Sequence, residues 1–200
     1  MVSLNNITGL VSSTLVITAA VTHLPGASCL RYLRFAMLVG MVALVVLIPI
    51  GGMPLAAYLR GWIGDLSITS LVLLTLTLLT RLPGRKIFDR KEYSPLFILV
   101  ALAGLVLYPM ALGIGYWDPY RLGLGNVWFL CGLLLLALAA YFYRLSLVTF
   151  IIVLAVLAWS IEWYESRNLW DYLLDPLLFI YVITRLVHSG TQGIFKSSRQ

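Results

Sequence analysis

The sequence predicts an all-α, polytopic transmembrane helical bundle of six or seven spans, forming a single integral membrane domain over residues 1–200. Hydrophobic residues make up 61% of the chain, charged residues make up 11%, and the mean hydropathy is +0.96. Globular chains contain roughly 45–50% apolar and about 25% charged residues. Because a membrane span needs about 20 mainly apolar residues, six or seven crossings use most of the chain and no separate soluble domain fits.

The distribution of charge predicts how the chain is oriented. Eleven of the fourteen Lys and Arg residues fall on one side of the apolar segments, and six of the eight Asp and Glu residues fall on the other. Cytoplasmic loops retain Lys and Arg during insertion. We therefore expect the basic loop at 81–91 and the C-terminus to be cytoplasmic and the N-terminus to lie outside, in the cytoplasmic (inner) membrane of a bacterial envelope. The basic residues form no continuous stripe, so we expect membrane lipids and not nucleic acid as their partners.

The apolar segments other than the first and the last are long enough to cross a membrane. The Ser and Thr content of the first segment, residues 10–24, weakens its assignment as a span. A cleaved signal peptide would begin with Lys or Arg, but none occurs before Arg31, so we treat the segment as a span. The last, residues 177–187, is too short alone and must recruit residues 169–174 across the intervening proline, or enter the membrane without crossing it. The predicted spans are 10–24, 35–59, 62–80, 95–115, 127–143, 145–164 and 169–188.

Prolines interrupt two of these spans. Pro49 and Pro54 lie in the second span, and Pro109 lies in the fourth. Proline removes one helical hydrogen bond, but membrane helices tolerate it where neighbouring groups satisfy the freed carbonyl. Because unpaired backbone in hydrocarbon costs several kcal/mol, we predict that both spans bend at these prolines and do not end there.

Polar chemistry concentrates on the predicted outer face, in two segments. Residues 116–121 join the fourth and fifth spans, and residues 162–171 follow the sixth. Trp and Tyr are expected at a membrane interface, but a surplus of acids beside arginines predicts a binding site for a headgroup, a sugar or a cation. We expect the two segments to meet on this face, with at least one Arg–carboxylate contact between or within them. The competing interpretation is a set of solvated loops in which Asp175 caps a helix beginning at Pro176. The candidate binding residues are Asp65, Trp117, Asp118, Arg121, Glu162, Glu165, Arg167 and Asp171.

Two of these acids carry more specific hypotheses. If the sixth helix continues through Arg167, Glu162 shares a helical stripe with neighbouring indoles, and carboxylate and aromatic groups face one cavity. Asp65 lies near the outer start of the third span, where an aspartate is expected to cap the helix. The alternative places Asp65 inside the bilayer beside Arg60, lining a polar path.

The sequence predicts neither a cofactor nor a metal site. His23 and His188 are isolated and fit ordinary interfacial histidines better than haem ligands. Cys29 and Cys131 lie in apolar settings predicted toward opposite faces, so we expect no disulfide. The zinc-protease, serine-hydrolase and phosphate-loop motifs are absent from the sequence, which argues against the familiar hydrolytic and nucleotide-driven enzymes. The identity of any catalytic residue is unknown at this point.

Residues 59–67, LRGWIGDLS, resemble the second or third membrane helix of bacterial envelope sulfatase-like phosphoglycerol and phosphoethanolamine transferases. This chain lacks the large extracytoplasmic catalytic domain of that family, with its Thr nucleophile and metal ligands. No active-site residue is therefore carried over. The resemblance implies an envelope setting.

Together these observations predict a non-catalytic accessory or binding component in envelope lipid or glycan assembly. Its expected partners are membrane lipids and either another membrane protein or an envelope glycan or lipid. The first alternative is a small membrane-embedded transferase or hydrolase with Glu162 or Asp118 as general base. In such an enzyme Arg121 or Arg167 holds an anionic headgroup. The second alternative is an ion- or proton-coupled transporter that uses Asp65 and Glu162.

Overall fold

The computed structural model describes residues 11–19, 32–51, 53–80 and 87–197, and these are mostly helical, which confirms the all-α prediction. Two short strands, β1 (Pro49–Ile50) and β2 (Met53–Pro54), pair antiparallel as a small hairpin, and a 3-10 helix covers Pro119–Gly123. The α-helices are α1 (11–19), α2 (Tyr32–Val46), α3 (Leu55–Ile63), α4 (Ile68–Leu79), α5 (Arg90–Ala111), α6 (Val127–Phe142), α7 (Ser146–Ser160), α8 (Leu169–Leu173) and α9 (Pro176–Ser197).

Within the described ranges, one helical stretch, Lys91–Ala111 of α5, is long and apolar enough by itself to cross a membrane. The stretches Ile68–Leu79, Val127–Phe142, Ser146–Ser160 and Pro176–His188 are apolar but shorter. By length and composition, α5 therefore fits a membrane span.

Helices α4 to α9 surround one hydrophobic core, and α7 lies at its centre. Helix α7 packs against α4, α5, α6 and α8, and Leu147, Ile151 and Ala155 on it are almost completely buried. Helices α5 and α9 also pack together, and there a Cβ on Gly104 would overlap the ring of Phe179. The absence of a side chain at position 104 therefore allows α9 to approach α5 closely.

The region of Pro49 and Pro54 is a hairpin between two helices, so the prediction that one helix bends there is wrong. Helix α2 ends at Val46, the two prolines pair across the hairpin, and Pro54 is the N-cap of α3 in an extended conformation. Gly51 supplies the positive φ of 60° that the turn requires. A smaller core formed by Val42, Val46 and Ala56 joins α2 to α3.

Pro109 behaves as predicted. Helix α5 continues through both Pro95 and Pro109 and ends at Ala111. The prediction that Pro109 does not terminate its span is therefore confirmed.

The sixth helix does not continue through Arg167, so the hypothesis of a helical stripe containing Glu162 is wrong. Helix α7 ends at Ser160, and Glu162 has a φ of 51°. The backbone N–H of Trp163 donates to the carbonyl of Ala158 at 3.0 Å, which is the closing bond of a Schellman motif. This turn directs the chain away from the helix axis.

The final helix is longer than predicted and begins later. Residues 169–174 do not join it, because α8 ends at Leu173 and Leu174 is extended, with φ −137° and ψ 143°. Helix α9 begins at Pro176 and reaches Ser197, so its length comes from residues beyond 187.

Candidate functional site

The two polar segments singled out in the sequence meet at one end of the bundle. The Tyr120 hydroxyl donates to both carboxylate oxygens of Asp171, at 2.9 and 3.0 Å. The Asn168 side-chain amide donates to the Tyr120 carbonyl at 2.8 Å, and the Trp170 indole N–H donates to the Pro119 carbonyl at 3.0 Å. We name this set the Tyr120–Asp171 cluster: Tyr120, Ser166, Asn168, Trp170 and Asp171.

Ion pairs do not join these two segments. Within the described part of the chain, Arg121 and Arg167 make no salt bridge, and both are exposed. The expectation of an Arg–carboxylate contact between or within the two segments is therefore wrong. The neutral Tyr, Asn and Trp donors hold the segments together.

Local sequence explains how each half of the cluster is built. Asp118 accepts the backbone N–H of Tyr120 at 3.0 Å and caps the 3-10 helix, in which proline occupies the first turn. Asn168 accepts the backbone N–H of Trp170 at 3.0 Å and caps α8. A Cβ on Gly123 would overlap the Asn168 amide. The 3-10 helix consequently lies directly against the start of α8.

The Asp171 carboxylate is occupied by donors from the protein itself. Besides the Tyr120 hydroxyl, the Ser166 hydroxyl donates to it. Burial, together with the hydrogen bond to Asp171, raises the pKa of Tyr120 to about 12. The phenol therefore remains a neutral donor at physiological pH.

A second acidic group, Asp175, lies buried beneath this end of the bundle. The Asp175 carboxylate accepts the Ser67 backbone N–H at 3.0 Å, the Ser67 hydroxyl at 2.7 Å and the Ser70 hydroxyl. Its other oxygen accepts the Leu178 N–H at 2.8 Å. The predicted cap on α9 is confirmed, but the same side chain also binds the first turn of α4, which sequence reasoning missed.

Two buried tyrosines connect the segment after α7 to the start of α4. The Tyr164 hydroxyl donates to the Leu66 carbonyl at 2.7 Å, and the Tyr172 hydroxyl donates to the Ser166 carbonyl at 3.0 Å. The two rings lie 4.9 Å apart. Sequence reasoning treated such tyrosines as members of an interfacial belt, so their structural role was also missed.

Asp65 does not cap α4, so that expectation is wrong. The cap is Ser67, whose hydroxyl accepts the Ser70 N–H at 3.1 Å. Asp65 instead accepts two hydrogen bonds from the Arg60 guanidinium, at 2.6 and 2.8 Å. Glu165 lies 3.7 Å from the same guanidinium. The Asp65 hydrogen bond raises the pKa of Arg60, and the three residues link α3 to the segment after α7.

The remaining candidate side chains lie on the surface around the cluster. Trp117 is 55% exposed, and Asp118, Arg121, Glu162, Glu165 and Arg167 are also exposed. The structure therefore brings Asp118 and Asp171 into hydrogen bonds around Tyr120, whereas Asp65 and Glu165 flank Arg60. Glu162, Arg121 and Arg167 remain at the periphery, accessible from outside.

A groove with a volume of about 470 Å³ lies beside the cluster, between α5 and α6. Leu99 and Ala103 form the α5 wall, Gly132 and Leu136 form the α6 wall, and Ile152 of α7 lies at the base. Leu122, Trp128 and Trp170 line the end of the groove nearest the Tyr120–Asp171 cluster. The Trp170 ring also packs against Phe129, with ring centroids 4.6 Å apart.

In the described ranges, no group of three or more His, Cys, Asp and Glu side chains is placed to hold a metal ion. His188 is exposed, and Cys131 is an exposed free thiol. His23, Cys29, Arg31 and most of the basic loop, residues 81–86, lie outside the described residues.

Comparison with known proteins gives no matching family model, curated protein or solved structure.

Proposed function

We propose that this chain is a multi-pass protein of the bacterial cytoplasmic membrane, with six or seven spans, that acts as a non-catalytic binding component in envelope lipid or glycan assembly. The observation that carries the proposal is the Tyr120–Asp171 cluster. It fixes two loops at one end of an apolar bundle and leaves aromatic and charged side chains exposed around them.

The membrane setting is supported by the apolar outer surface of the helices. Leu102 on α5, Leu135 on α6 and Ile180 on α9 are 58%, 67% and 61% exposed, and similar side chains accompany them on each helix. Soluble monomers rarely expose contiguous apolar patches larger than a few hundred Å². Hydrocarbon is the solvent that accommodates such a surface.

The ends of α6 support the same setting. Trp128 lies at its first turn, and Tyr141 and Tyr143 lie at its other end, all of them highly exposed. At 1.5 Å per residue, Trp128 lies about 20 Å from Tyr141 and about 22 Å from Tyr143 along the helix axis. Trp and Tyr concentrate at the two interfaces of a bilayer whose hydrocarbon core is about 30 Å thick.

The hydrogen bonds of Asp171 and Asp175 favour binding over catalysis. Asp171 accepts two side-chain hydroxyls, and Asp175 accepts four donors. A general base needs an acceptor position directed at its substrate, and these carboxylates are directed at the protein. The exposed charges at the periphery, Glu162 and Arg121 among them, are available instead to recognise a polar ligand.

The proposal is tested with a photoreactive amino acid at position 116 in the full chain in its native membrane. The Tyr116 side chain is fully exposed beside the cluster. We expect a crosslinked product of defined mass containing an envelope lipid, glycan or membrane protein. Neutralising Arg121 and Glu162 together should remove that product without changing the abundance of the chain.

The matched control is the same amino acid at position 143, where Tyr143 is also highly exposed, at the opposite end of α6. No corresponding product is expected there. The same product from both positions, or a loss of product that only follows a loss of abundance, would show that the cluster end is not a recognition surface.

A further inference from the structure

We infer that the groove between α5 and α6 binds one acyl chain of a glycerophospholipid whose phosphate is held by Arg121. The inference rests on the membrane setting proposed above and names the ligand class at the cluster end of the bundle. Its volume, about 470 Å³, lies within the range of roughly 300–1,000 Å³ that small-molecule sites occupy.

The lining of the groove selects hydrocarbon. The Thr69 hydroxyl donates to the Leu173 carbonyl at 2.6 Å, and the Trp170 indole donates to the Pro119 carbonyl at 3.0 Å. The Trp128 indole is at the rim and is 84% exposed. A sugar placed among the remaining lining residues, which are aliphatic or aromatic, would lose its hydrogen bonds to water without replacing them.

The α6 wall leaves an opening through which a chain from the bilayer can reach the groove. A Cβ built on Gly132 meets no atom within 4 Å. On either side, Leu102 of α5 and Leu135 of α6 are exposed to the surroundings of the bundle. An acyl chain can therefore pass from bulk lipid into the groove without leaving an apolar environment.

One cationic side chain lies next to the groove along the chain. Leu122 lines the groove, and Arg121, the preceding residue, is exposed and pairs with no carboxylate among the described residues. The neighbouring carboxylates of Asp118 and Asp171 keep their negative charge but are bound by Tyr120, so Arg121 is the side chain of this segment that can bind an anion. A guanidinium binds phosphate through two parallel hydrogen bonds, so a lipid phosphate at this end complements Arg121.

The test uses the full chain in nanodiscs of phosphatidylcholine containing a small fraction of phosphatidylglycerol with a photoactivatable diazirine on one acyl chain. We expect crosslinks to concentrate on the groove walls, around Ala103 and Gly132. Gly132→Phe, which fills the groove from the open side, should reduce these crosslinks about tenfold. Leu135→Phe, the same side chain on the lipid-facing side of α6, should leave them unchanged.

The headgroup is tested separately with Arg121→Gln and with Arg144→Gln as its matched control, because Arg144 is an exposed arginine at the opposite end of α6. Loss of the guanidinium at position 121 should weaken retention of the anionic probe about tenfold, whereas the change at position 144 should not. Equal effects of the two substitutions would contradict a phosphate site at Arg121.

The positions of the crosslinks on the unsubstituted chain test the lipid site even where a variant fails to fold. Crosslinks spread evenly over the exposed faces of α5, α6 and α9 would show that the groove holds only bulk lipid, while the membrane setting would stand. Failure of the unsubstituted chain to enter nanodiscs would instead overturn both the groove and the membrane setting.

Discussion

At the scale of single residues, one buried carboxylate stabilises two helix ends. Asp175 is 5% exposed and binds donors from the first turns of both α4 and α9. Helix N-termini present unpaired N–H groups and a partial positive charge, so a carboxylate shared between them satisfies donors of both helices. We regard this side chain as the main polar connection between the two helices.

We expect Asp175→Ala to reduce the free energy of unfolding by about 3 kcal/mol, because it leaves buried donors from both helices without an acceptor. Asp118→Ala is the matched control, since Asp118 caps only the exposed 3-10 helix, and it should cost no more than about 1 kcal/mol. Reversible unfolding in detergent measures both. Equal losses would mean that the shared cap contributes no more than an ordinary one.

Glu162 occupies a backbone position that glycine prefers, with a φ of 51° at the end of α7. An L-residue in this conformation costs roughly 1–2 kcal/mol, so Glu162→Gly should raise stability by about 1 kcal/mol. If the carboxylate takes part in binding, the same variant should lose the crosslink at position 116. Arg144→Gly, at the equivalent position after α6 with a φ of 57°, should gain stability and retain the crosslink. Retention of the crosslink in both variants would show that Glu162 is not part of the binding surface.

At the scale of elements, the close approach of α5 and α9 depends on Gly104. A methyl group there overlaps the Phe179 ring, so we expect Gly104→Ala to cost about 1–3 kcal/mol through displacement of the ring or the helix. Gly61→Ala in α3 is the control, because a Cβ at that position meets nothing within 4 Å and should stabilise the helix by up to about 1 kcal/mol. Thermal unfolding measures the stability of both variants. An unchanged stability of the Gly104→Ala variant would show that α9 can move to accommodate the added methyl group.

Helix type was predictable from the sequence, whereas several helix ends were not. Long apolar runs identified the helical regions. Because membrane helices tolerate proline, the prediction that α5 continues through Pro109 was correct. The end of α7 has neither Gly nor Pro, since Glu162 occupies the turn position. Periodicity alone therefore extended the helix too far. At Pro49 and Pro54 the opposite error arose, because two prolines and Gly51 together formed a hairpin where one helix was expected.

The candidate site was predictable in outline and not in its contacts. The meeting of the segments at 116–121 and 162–171 follows from their placement at the same ends of predicted spans, and the structure shows it. The bond between Ser67 and Asp175 joins residues 108 positions apart, and no local pattern reports such a contact. Charge counting also suggested arginine as the connecting group, although the tyrosine hydroxyl at position 120 performs that role.

For the molecule as a whole, the proposed function requires a bundle whose exposed apolar sides lie in lipid and whose two ends lie on opposite sides of a membrane. Helix α6 fits this requirement most clearly, because it has aromatic residues at both ends and exposed leucines between them. The proposed recognition surface lies at the end where α6 begins. In the proposed orientation, the cytoplasmic side predicted from the basic residues lies where α6 ends.

The most direct test of this central claim is the accessibility of single cysteines on either side of α6. In a chain with Cys29 and Cys131 replaced by Ser, Leu124→Cys lies before the helix and Ser146→Cys follows it, both at exposed positions. A membrane-impermeant thiol reagent added to intact cells should label position 124 and should reach position 146 only after permeabilisation. Labelling of both positions in intact cells, or of position 146 alone, would contradict the proposed membrane arrangement.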